Sequence, residues 1–156
     1  MRIGIMCHAS FGGSARVATG LAIGLAQKNH QVHLFTRTQP FGAWSQSDGV
    51  QIHTVVPEWA NDEHPARLLV NWSESELSAF VAHVTRVATR EKLDVLHFHY
   101  AVPFAEAALK VQRYMEPLAP VLVGTLHGTD VSIHGRVPGV GPFLSRLLSQ
   151  DRKSVV

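Results

Sequence analysis

The hexapeptide TLHGTD, residues 125–130, places hydroxyl, imidazole and carboxylate groups directly after the apolar run PVLVG. A buried strand is built from apolar side chains, because a polar group without a partner is costly to bury. Polar residues in succession at the end of such a strand are typical of a ligand site. His127 can exchange a proton near neutral pH. Thr125, Thr129 and Asp130 can bind a ligand or form caps and turns after the strand.

A second polar stretch, HFHY, carries His97 and His99 two residues apart, followed by Tyr100. Side chains at i and i+2 of a strand lie on one face, so the two imidazoles suit two ligands of a metal ion, with His127 as a third. The alternative is that the histidines hydrogen-bond within a crowded layer at the strand ends. The chain has one cysteine and no nearby cluster of carboxylates, which favours this alternative. Tyr100 can offer its hydroxyl to a ligand or pack in the core.

The third polar stretch, HASFGGS, precedes a predicted helix. Backbone amides at Gly12 and Gly13 could receive a phosphate at the helix start, whereas the alternative is a turn with Ser14 as a capping residue. The dinucleotide fingerprint G-x-G-x-x-G is absent, and Thr36-Arg37 stands where an acidic residue would hold a ribose. NAD binding is therefore disfavoured, and the nucleoside-triphosphate loop is also missing.

The elements that must position these residues alternate between short apolar runs and amphipathic segments. This alternation predicts an α/β fold, a Rossmann-like parallel sheet with helices on both faces. Strands are predicted at residues 2–7, 31–36, 50–55, 95–98 and 121–126. The three polar stretches follow strands one, four and five, and ligands of such sheets bind at the carboxyl ends of the strands. We therefore expect the stretches to converge.

Three helices are predicted between the strands. The first covers residues 14–28 with Val17, Leu21 and Leu25 at helical spacing. The second is capped by Ser73 in a capping box, carries an apolar face and ends near residue 92. The third starts at about Pro103, a residue suited to the first helical position. The segment 56–71 is not assigned.

Composition limits the class of partner. The 156 residues are 46% hydrophobic, enough for the core of one domain, and the formal net charge is only +2. The basic residues are scattered, so nucleic acid is not an expected partner. Cys7 lies in the apolar run IGIMC and is expected to be buried and inert. No segment approaches the ~20 apolar residues of a membrane span, and a soluble cytoplasmic protein is expected. A homodimer is compatible with the sequence.

The stretches GGSARVATGLAIGLAQKNHQVHLFT, LDVLHFHYAVPFA and GTLHGTDVSIHG together resemble the N-terminal domain of retaining family 4 glycosyltransferases. These enzymes have the two-domain GT-B fold. Within the family, the motifs are most similar to the enzymes of bacillithiol synthesis that transfer N-acetylglucosamine from a UDP donor to L-malate. The resemblance implies that residues 1–156 form an acceptor-side N-terminal domain and that the donor-binding C-terminal domain is absent from this chain.

The sequence departs from the malate-using enzymes at three positions. Those enzymes usually have Glu where this chain has Gly20, His where it has Phe104, and Arg where it has Gly42. These differences concern the acceptor more than the family.

The resemblance also implies roles for single residues. Gly12 and Gly13 would bind the donor diphosphate through backbone amides, and His127 would face the donor sugar as the catalytic residue. Ser14, Tyr100 and Thr125 would line the acceptor pocket. Arg146 would bind the acceptor carboxylate, and Asp130 would orient the loop as a structural residue. Arg146 is chosen because a guanidinium can grip a carboxylate with two hydrogen bonds. No metal or other cofactor is expected; the substrates would be a UDP-sugar and a small carboxylate.

Two other classes of function stay open on the sequence. A metal-dependent hydrolase would use His97, His99 and His127 as ligands. A catalytically silent binding or interaction module would be compatible with the missing donor half.

Overall fold

A computed structural model describes residues 1–41, 49–56 and 72–149. Within them, five parallel strands form one sheet in the order β3-β2-β1-β4-β5. The strands are β1 (Arg2–Met6), β2 (Gln31–Thr36), β3 (Val50–Thr54), β4 (Val95–His99) and β5 (Val121–Thr125). The helices are α1 (Gly13–Gln27), α2 (Glu74–Glu91), α3 (Phe104–Met115), α4 (Thr129–Ser132) and α5 (Val140–Ser149), with a 3-10 turn at His134–Arg136 before α5. The predicted α/β fold is confirmed, and each predicted strand agrees to within about one residue.

Helices cover both faces of the sheet because side chains of successive strand residues point to opposite faces. On β1, Ile3 and Ile5 belong to the apolar cluster that packs against α1. Met6 belongs to the larger cluster formed with α2 and α3. The central strand is thus buried on both faces, as expected for a parallel sheet.

Helix α1 differs from the sequence prediction in the face that it buries. Val17 is 54% exposed and Leu21 36% exposed, although their spacing predicts a core-facing stripe. The buried residues are Ser14 and the small side chains of Ala15, Ala18 and Ala22. Small side chains let the helix lie close to the branched residues of β1 and β2, and this close approach leaves the larger residues outside.

The capping prediction for α2 is confirmed. The Ser73 hydroxyl accepts a hydrogen bond from the Glu76 backbone N–H at 3.2 Å, and the Glu76 carboxylate accepts one from the Ser73 backbone N–H at 2.8 Å. Hydrogen bonds from Ser73 and the nearby Arg37 guanidinium lower the pKa of Glu76 to about 2. The apolar face predicted for this helix is buried at Leu77, Phe80, Val81, Val84 and Val87.

The start of α3, the burial of Cys7 and the absence of a membrane span were also predicted from the sequence. Pro103 is the N-cap of α3 and Phe104 its first residue, so the predicted start is wrong by one position. Cys7 is buried, and burial raises its thiol pKa to about 12, which matches the expected inert thiol. No helix in the described part of the chain is long and apolar enough to cross a membrane. The departure at Gly42 lies outside the described residues.

Candidate functional site at the carboxyl edge of the sheet

The sheet order brings the three polar stretches to one edge. Strands β1, β4 and β5 are neighbours, and the residues after each strand leave the sheet at its carboxyl edge. In the register of β4 and β5, His99 lies opposite Thr125. The Tyr100 backbone N–H donates to the Thr125 carbonyl at 3.0 Å, which extends this pairing one residue beyond β4.

Histidine side chains of β4 bond to the residues that end β5. His97 Nε2 lies 2.8 Å from the Thr125 hydroxyl, and His99 Nδ1 lies 3.0 Å from His127 Nε2. The rings of His97 and His99 are 4.3 Å apart between centroids. Burial, and then the neighbouring His97, lower the pKa of His99 to about 3, so that this ring is neutral near pH 7. Burial also lowers the pKa of His127.

This arrangement bears on the metal alternative. Within residues 1–41, 49–56 and 72–149, no group of three or more histidine, cysteine, aspartate or glutamate side chains could hold a metal ion. His99 and His127 direct ring nitrogens at each other instead of at a shared point. The hydrolase hypothesis based on His97, His99 and His127 therefore gains no support from the geometry.

Asp130 lies under the loop that carries His127. Its side chain is 0% exposed, and its oxygens accept hydrogen bonds from the backbone N–H groups of Ala101 at 3.0 Å and His127 at 2.9 Å. One carboxylate thus joins the segment after β4 to the segment after β5. Gly128, which follows His127 in the segment after β5, has a φ of +76°, a left-handed conformation that favours glycine. These contacts fit the orienting role proposed for Asp130.

Tyr100 is held in an unusual backbone conformation. Its φ is +81°, which is rare and strained for an aromatic residue and concentrates at functional sites. The side chain is almost fully buried, and its hydroxyl lies 2.8 Å from the Thr129 hydroxyl at the start of α4. Burial raises the pKa of the Tyr100 phenol. The Tyr100 hydroxyl thus joins the residue after β4 to the start of α4.

His8 is a candidate that the sequence reasoning overlooked. It lies after β1, is 5% exposed, and its ring edges contact the rings of Tyr100 at 5.1 Å and Phe104 at 4.8 Å between centroids. The signal was available in HASFGGS, where a histidine directly follows an apolar strand. Phe104, at which this chain departs from the malate-using enzymes, is fully buried and packs against the His8 ring. Burial lowers the pKa of His8 to about 4.

The buried histidines predict that acid destabilises the fold. His8 and His53 have pKa values lowered to about 4, mainly by burial, so the unfolded chain binds more protons than the folded chain below about pH 6.5. The contribution of these neutral histidines to the free energy of unfolding is therefore fully present above that pH, and it is lost as the pH falls toward 4. The difference in the pKa of His8 between the folded and unfolded chains should alone lower the free energy of unfolding by on the order of 2 kcal/mol from pH 7 to pH 4.5.

Urea unfolding at the two pH values measures this loss, and His8→Phe should make it smaller by that amount. The matched control is His30→Phe, which alters a histidine whose ring bonds to the amino terminus. An equal pH dependence in the wild type and His8→Phe would contradict the prediction.

The glycine pair begins α1 as the sequence suggests, but Ser14 does not cap it. Gly12 is the N-cap residue and makes no side-chain cap bond, while Ser14 is buried inside the first turn. The Gly12 backbone N–H donates to the Ser10 hydroxyl at 3.3 Å, so Ser10 shapes the turn. The first amides of a helix lack partners within the helix and carry partial positive charge. Apart from its chain neighbours and the backbone of the helix, no atom lies within 4 Å of the position that a β-carbon of Gly13 would take, so the space beside this glycine is open.

Arg146 is less well placed by the structure. It lies in the last turn of α5 and is exposed. No hydrogen bond or ion pair among the described residues joins it to Ser14, Tyr100 or Thr125. The structure thus brings Thr125, His127, Tyr100 and Asp130 together and leaves Arg146 outside that group. Gly20, another departure, is exposed on α1 with open space around it.

Comparison with known proteins identifies the family. The sequence model of the family described as glycosyltransferase family 4 matches residues 11–155 of this chain. The chain belongs to this family. It is also 33% identical over 145 residues to N-acetyl-alpha-D-glucosaminyl L-malate synthase of Bacillus anthracis, an alignment that covers 92% of this chain. The chain spans about a third of that relative's length, 35%.

Solved structures show the same fold. Sucrose-phosphate synthase of Thermosynechococcus elongatus superposes with a TM-score of 0.65 at 11% identity, over 96% of this chain and 39% of the enzyme. The calicheamicin glycosyltransferase CalG4 gives a TM-score of 0.50 at 18% identity, over 98% of this chain and 44% of that protein. Both are glycosyltransferases of the GT-B fold, and this chain corresponds to less than half of each. The expected N-terminal GT-B half is confirmed as a fold.

Proposed function

We propose that this chain is the acceptor-binding domain of a retaining glycosyltransferase that transfers N-acetylglucosamine from a UDP donor to a small carboxylate such as L-malate. The observation that carries the proposal is the joined ends of β4 and β5, where His127 and Thr125 meet Tyr100 and Asp130 at the carboxyl edge of the sheet. The 33% identity to an N-acetyl-alpha-D-glucosaminyl L-malate synthase supports the choice of donor and acceptor. The donor-binding half would lie in a C-terminal domain outside this chain.

The reaction explains the kinds of group found at the edge. The bond between the anomeric carbon and the diphosphate oxygen breaks, and its electron pair stays with the diphosphate. A new bond forms between that carbon and the acceptor hydroxyl oxygen, which releases a proton. Negative charge therefore grows on the diphosphate, and fixed dipoles aimed at it lower the barrier. Gly12 and Gly13 are proposed to supply such dipoles through their backbone amides, for which the Gly12 N–H would have to exchange its bond to the Ser10 hydroxyl for one to the diphosphate. No metal or other cofactor is proposed.

His127 is proposed to contact the donor sugar, and Asp130 to hold the loop that carries it. Ser14, Tyr100 and Thr125 are proposed to line the acceptor pocket, with Arg146 binding the acceptor carboxylate. Arg146 would have to move toward the other three to bind the same acceptor, since no hydrogen bond or ion pair among the described residues joins it to them. Cytoplasmic localisation follows as a proposal from the intracellular substrates.

Acceptor binding tests the proposal on this chain alone. L-malate should bind no tighter than about millimolar, or roughly −4 kcal/mol, because a half-built pocket leaves the ligand solvated on one side. A chemical-shift titration with malate, succinate and an inositol phosphate should move Tyr100, Thr125 and Ser14 with malate. Arg146→Ala should abolish the binding, whereas Arg90→Ala, at the opposite edge of the sheet, should not.

The titration can reject the acceptor in two ways. Shifts caused only by the inositol phosphate would replace malate by a phosphorylated polyol. A silent titration, or equal malate binding by Arg146→Ala, would reject the pocket as drawn.

The chain alone is expected to have no glycosyltransferase activity, because the donor contacts are assigned to another domain. The measurement is release of UDP from UDP-N-acetylglucosamine in the presence of malate. Fusing the chain to the remaining part of the Bacillus anthracis relative provides the positive control. Sustained turnover by the 156-residue chain alone would show that the donor site is complete within it.

A further inference from the structure

We propose that His99 is a positioning residue that holds His127 in the neutral tautomer with its proton on Nδ1. His127 then presents a hydrogen-bond donor, and not a proton acceptor, to the bound ligand. The inference deepens the proposed function and rests on it only for the identity of that ligand. The tautomer of His127 follows from the contacts of His99 and His127 and does not depend on which ligand binds.

The two ring nitrogens of His99 lie in different surroundings. Nδ1 lies 3.0 Å from His127 Nε2, a hydrogen-bonding distance. Nε2 is buried and has no hydrogen-bond partner in the described part of the chain. The whole residue is 1% exposed, so water does not replace the missing partner from the surface. The two nitrogens of one ring therefore have opposite environments.

Counting protons then fixes the direction of the bond. A neutral imidazole carries one N–H, and the other nitrogen is an acceptor. If the proton of His99 were on Nε2, a buried N–H would have no partner, an arrangement that is rare in folded proteins because the lost hydrogen bond to water is not replaced. If the proton is on Nδ1, it is donated to His127. The second arrangement leaves only an unused lone pair at Nε2.

The same count determines the state of His127. Its Nε2 receives the proton of His99 and must be unprotonated, so a neutral His127 carries its own proton on Nδ1. This Nδ1 has no partner among the described residues and is not among the fully buried atoms, so it remains open to a ligand. The backbone N–H of His127 is separately held by Asp130 at 2.9 Å, which fixes where the ring starts.

The groups around the pair oppose a second proton. His97 lies against the His99 ring, and His8, on the segment after β1, interacts electrostatically with His127. A charged His127 would need N–H groups at both nitrogens, and Nε2–H would then point at the N–H of His99. The Asp130 carboxylate acts in the opposite direction on the pKa of His127, but burial outweighs it, and the Asp130 oxygens accept hydrogen bonds from backbone N–H groups and not from the His127 ring. His127 therefore stays neutral while it donates from Nδ1.

This assignment separates two possible roles in sugar transfer. A donor at Nδ1 can hold a sugar hydroxyl or an oxygen that gains negative charge. It cannot accept the proton that the acceptor hydroxyl loses, because that nitrogen already carries one. The proton must leave through another group.

Nitrogen-15 spectra of the labelled chain at pH 7 read the tautomer directly. His127→Ala assigns the His127 signals among the 10 histidines. We expect a pyrrole-type Nδ1 and a pyridine-type Nε2 for both His99 and His127. A His127 protonated on Nε2, or on both nitrogens, would overturn the proposal without any variant and without any substrate.

Variants test whether His99 is the cause. His99→Phe removes the donor, and the His127 signals should move toward averaged values of two exchanging tautomers. His99→Asn places an amide near the position of Nδ1 and should restore the Nδ1-protonated form. The matched control His97→Asn, on the same strand, should leave it unchanged. An unaltered His127 tautomer in a folded His99→Phe would also overturn the proposal, whereas failure of the sugar-transfer assay alone would concern only the proposed function.

Discussion

Replacing His127 by alanine is expected to lower the rate of sugar transfer at least about 100-fold. This is the usual effect of removing one preorganised polar group at a site of developing charge. The assay protein is the chain fused to the donor-binding part of its Bacillus anthracis relative, because the chain alone is expected to be inactive. Release of UDP at saturating substrate concentrations gives the rate.

The variant must be shown to fold before its rate is interpreted. The His127 backbone N–H that Asp130 holds is retained in His127→Ala, so the loop should keep its shape. His30→Ala is the control, since His30 precedes β2 at the opposite edge of the sheet and should leave the rate unchanged. Near-normal turnover in a folded His127→Ala would assign the residue a structural role only.

Replacing Asp130 by alanine is expected to lower the free energy of unfolding by about 3 kcal/mol. The buried N–H groups of Ala101 and His127 would lose their acceptor, and each such loss costs about 1–3 kcal/mol. Val131 is affected less, because its N–H also donates to the Gly128 carbonyl at 3.0 Å. Urea unfolding monitored by circular dichroism measures the change.

Asp94 provides a matched control for this substitution. It also accepts a hydrogen bond from a backbone N–H, that of Arg2 at 2.7 Å, but it is more than a third exposed. Water can replace the lost acceptor there, so Asp94→Ala should cost clearly less than Asp130→Ala. Asp130→Asn, which keeps one oxygen, should fall between the two. Equal stability of Asp130→Ala and Asp94→Ala would show that the buried carboxylate does not hold the loops together.

The alternation of apolar runs and amphipathic segments was sufficient to predict the sheet and its helices. Period and capping are local properties, and both Ser73 and the apolar face of α2 were read correctly. The buried face of α1 was not, since alanine is weakly hydrophobic and its burial depends on how closely the helix approaches the sheet. That distance is a tertiary property that the sequence does not display.

The site was predictable to a similar degree. Topology alone placed the polar stretches at one edge, because parallel strands all end there. The pairing of His99 with His127 was not predictable, since it depends on the register between β4 and β5. The contact of His8 with Tyr100 was missed because a histidine next to an apolar strand also fits a surface turn. Arg146 was chosen for its chemistry, and chemistry alone does not specify a position.

The position of β1 in the middle of the sheet has a consequence for the order in which the chain can assemble during synthesis. Its first partner, β2, is complete at residue 36, but its second partner, β4, ends at residue 99. The intervening residues, about 60, take about 3–12 s to translate at about 5–20 residues per second. During that time one edge of the central strand β1 is unpaired, and unpaired strand edges promote association between chains. A nascent chain stalled between residues 36 and 99 should therefore be recognised by chaperones, and release of that binding should coincide with the emergence of β4.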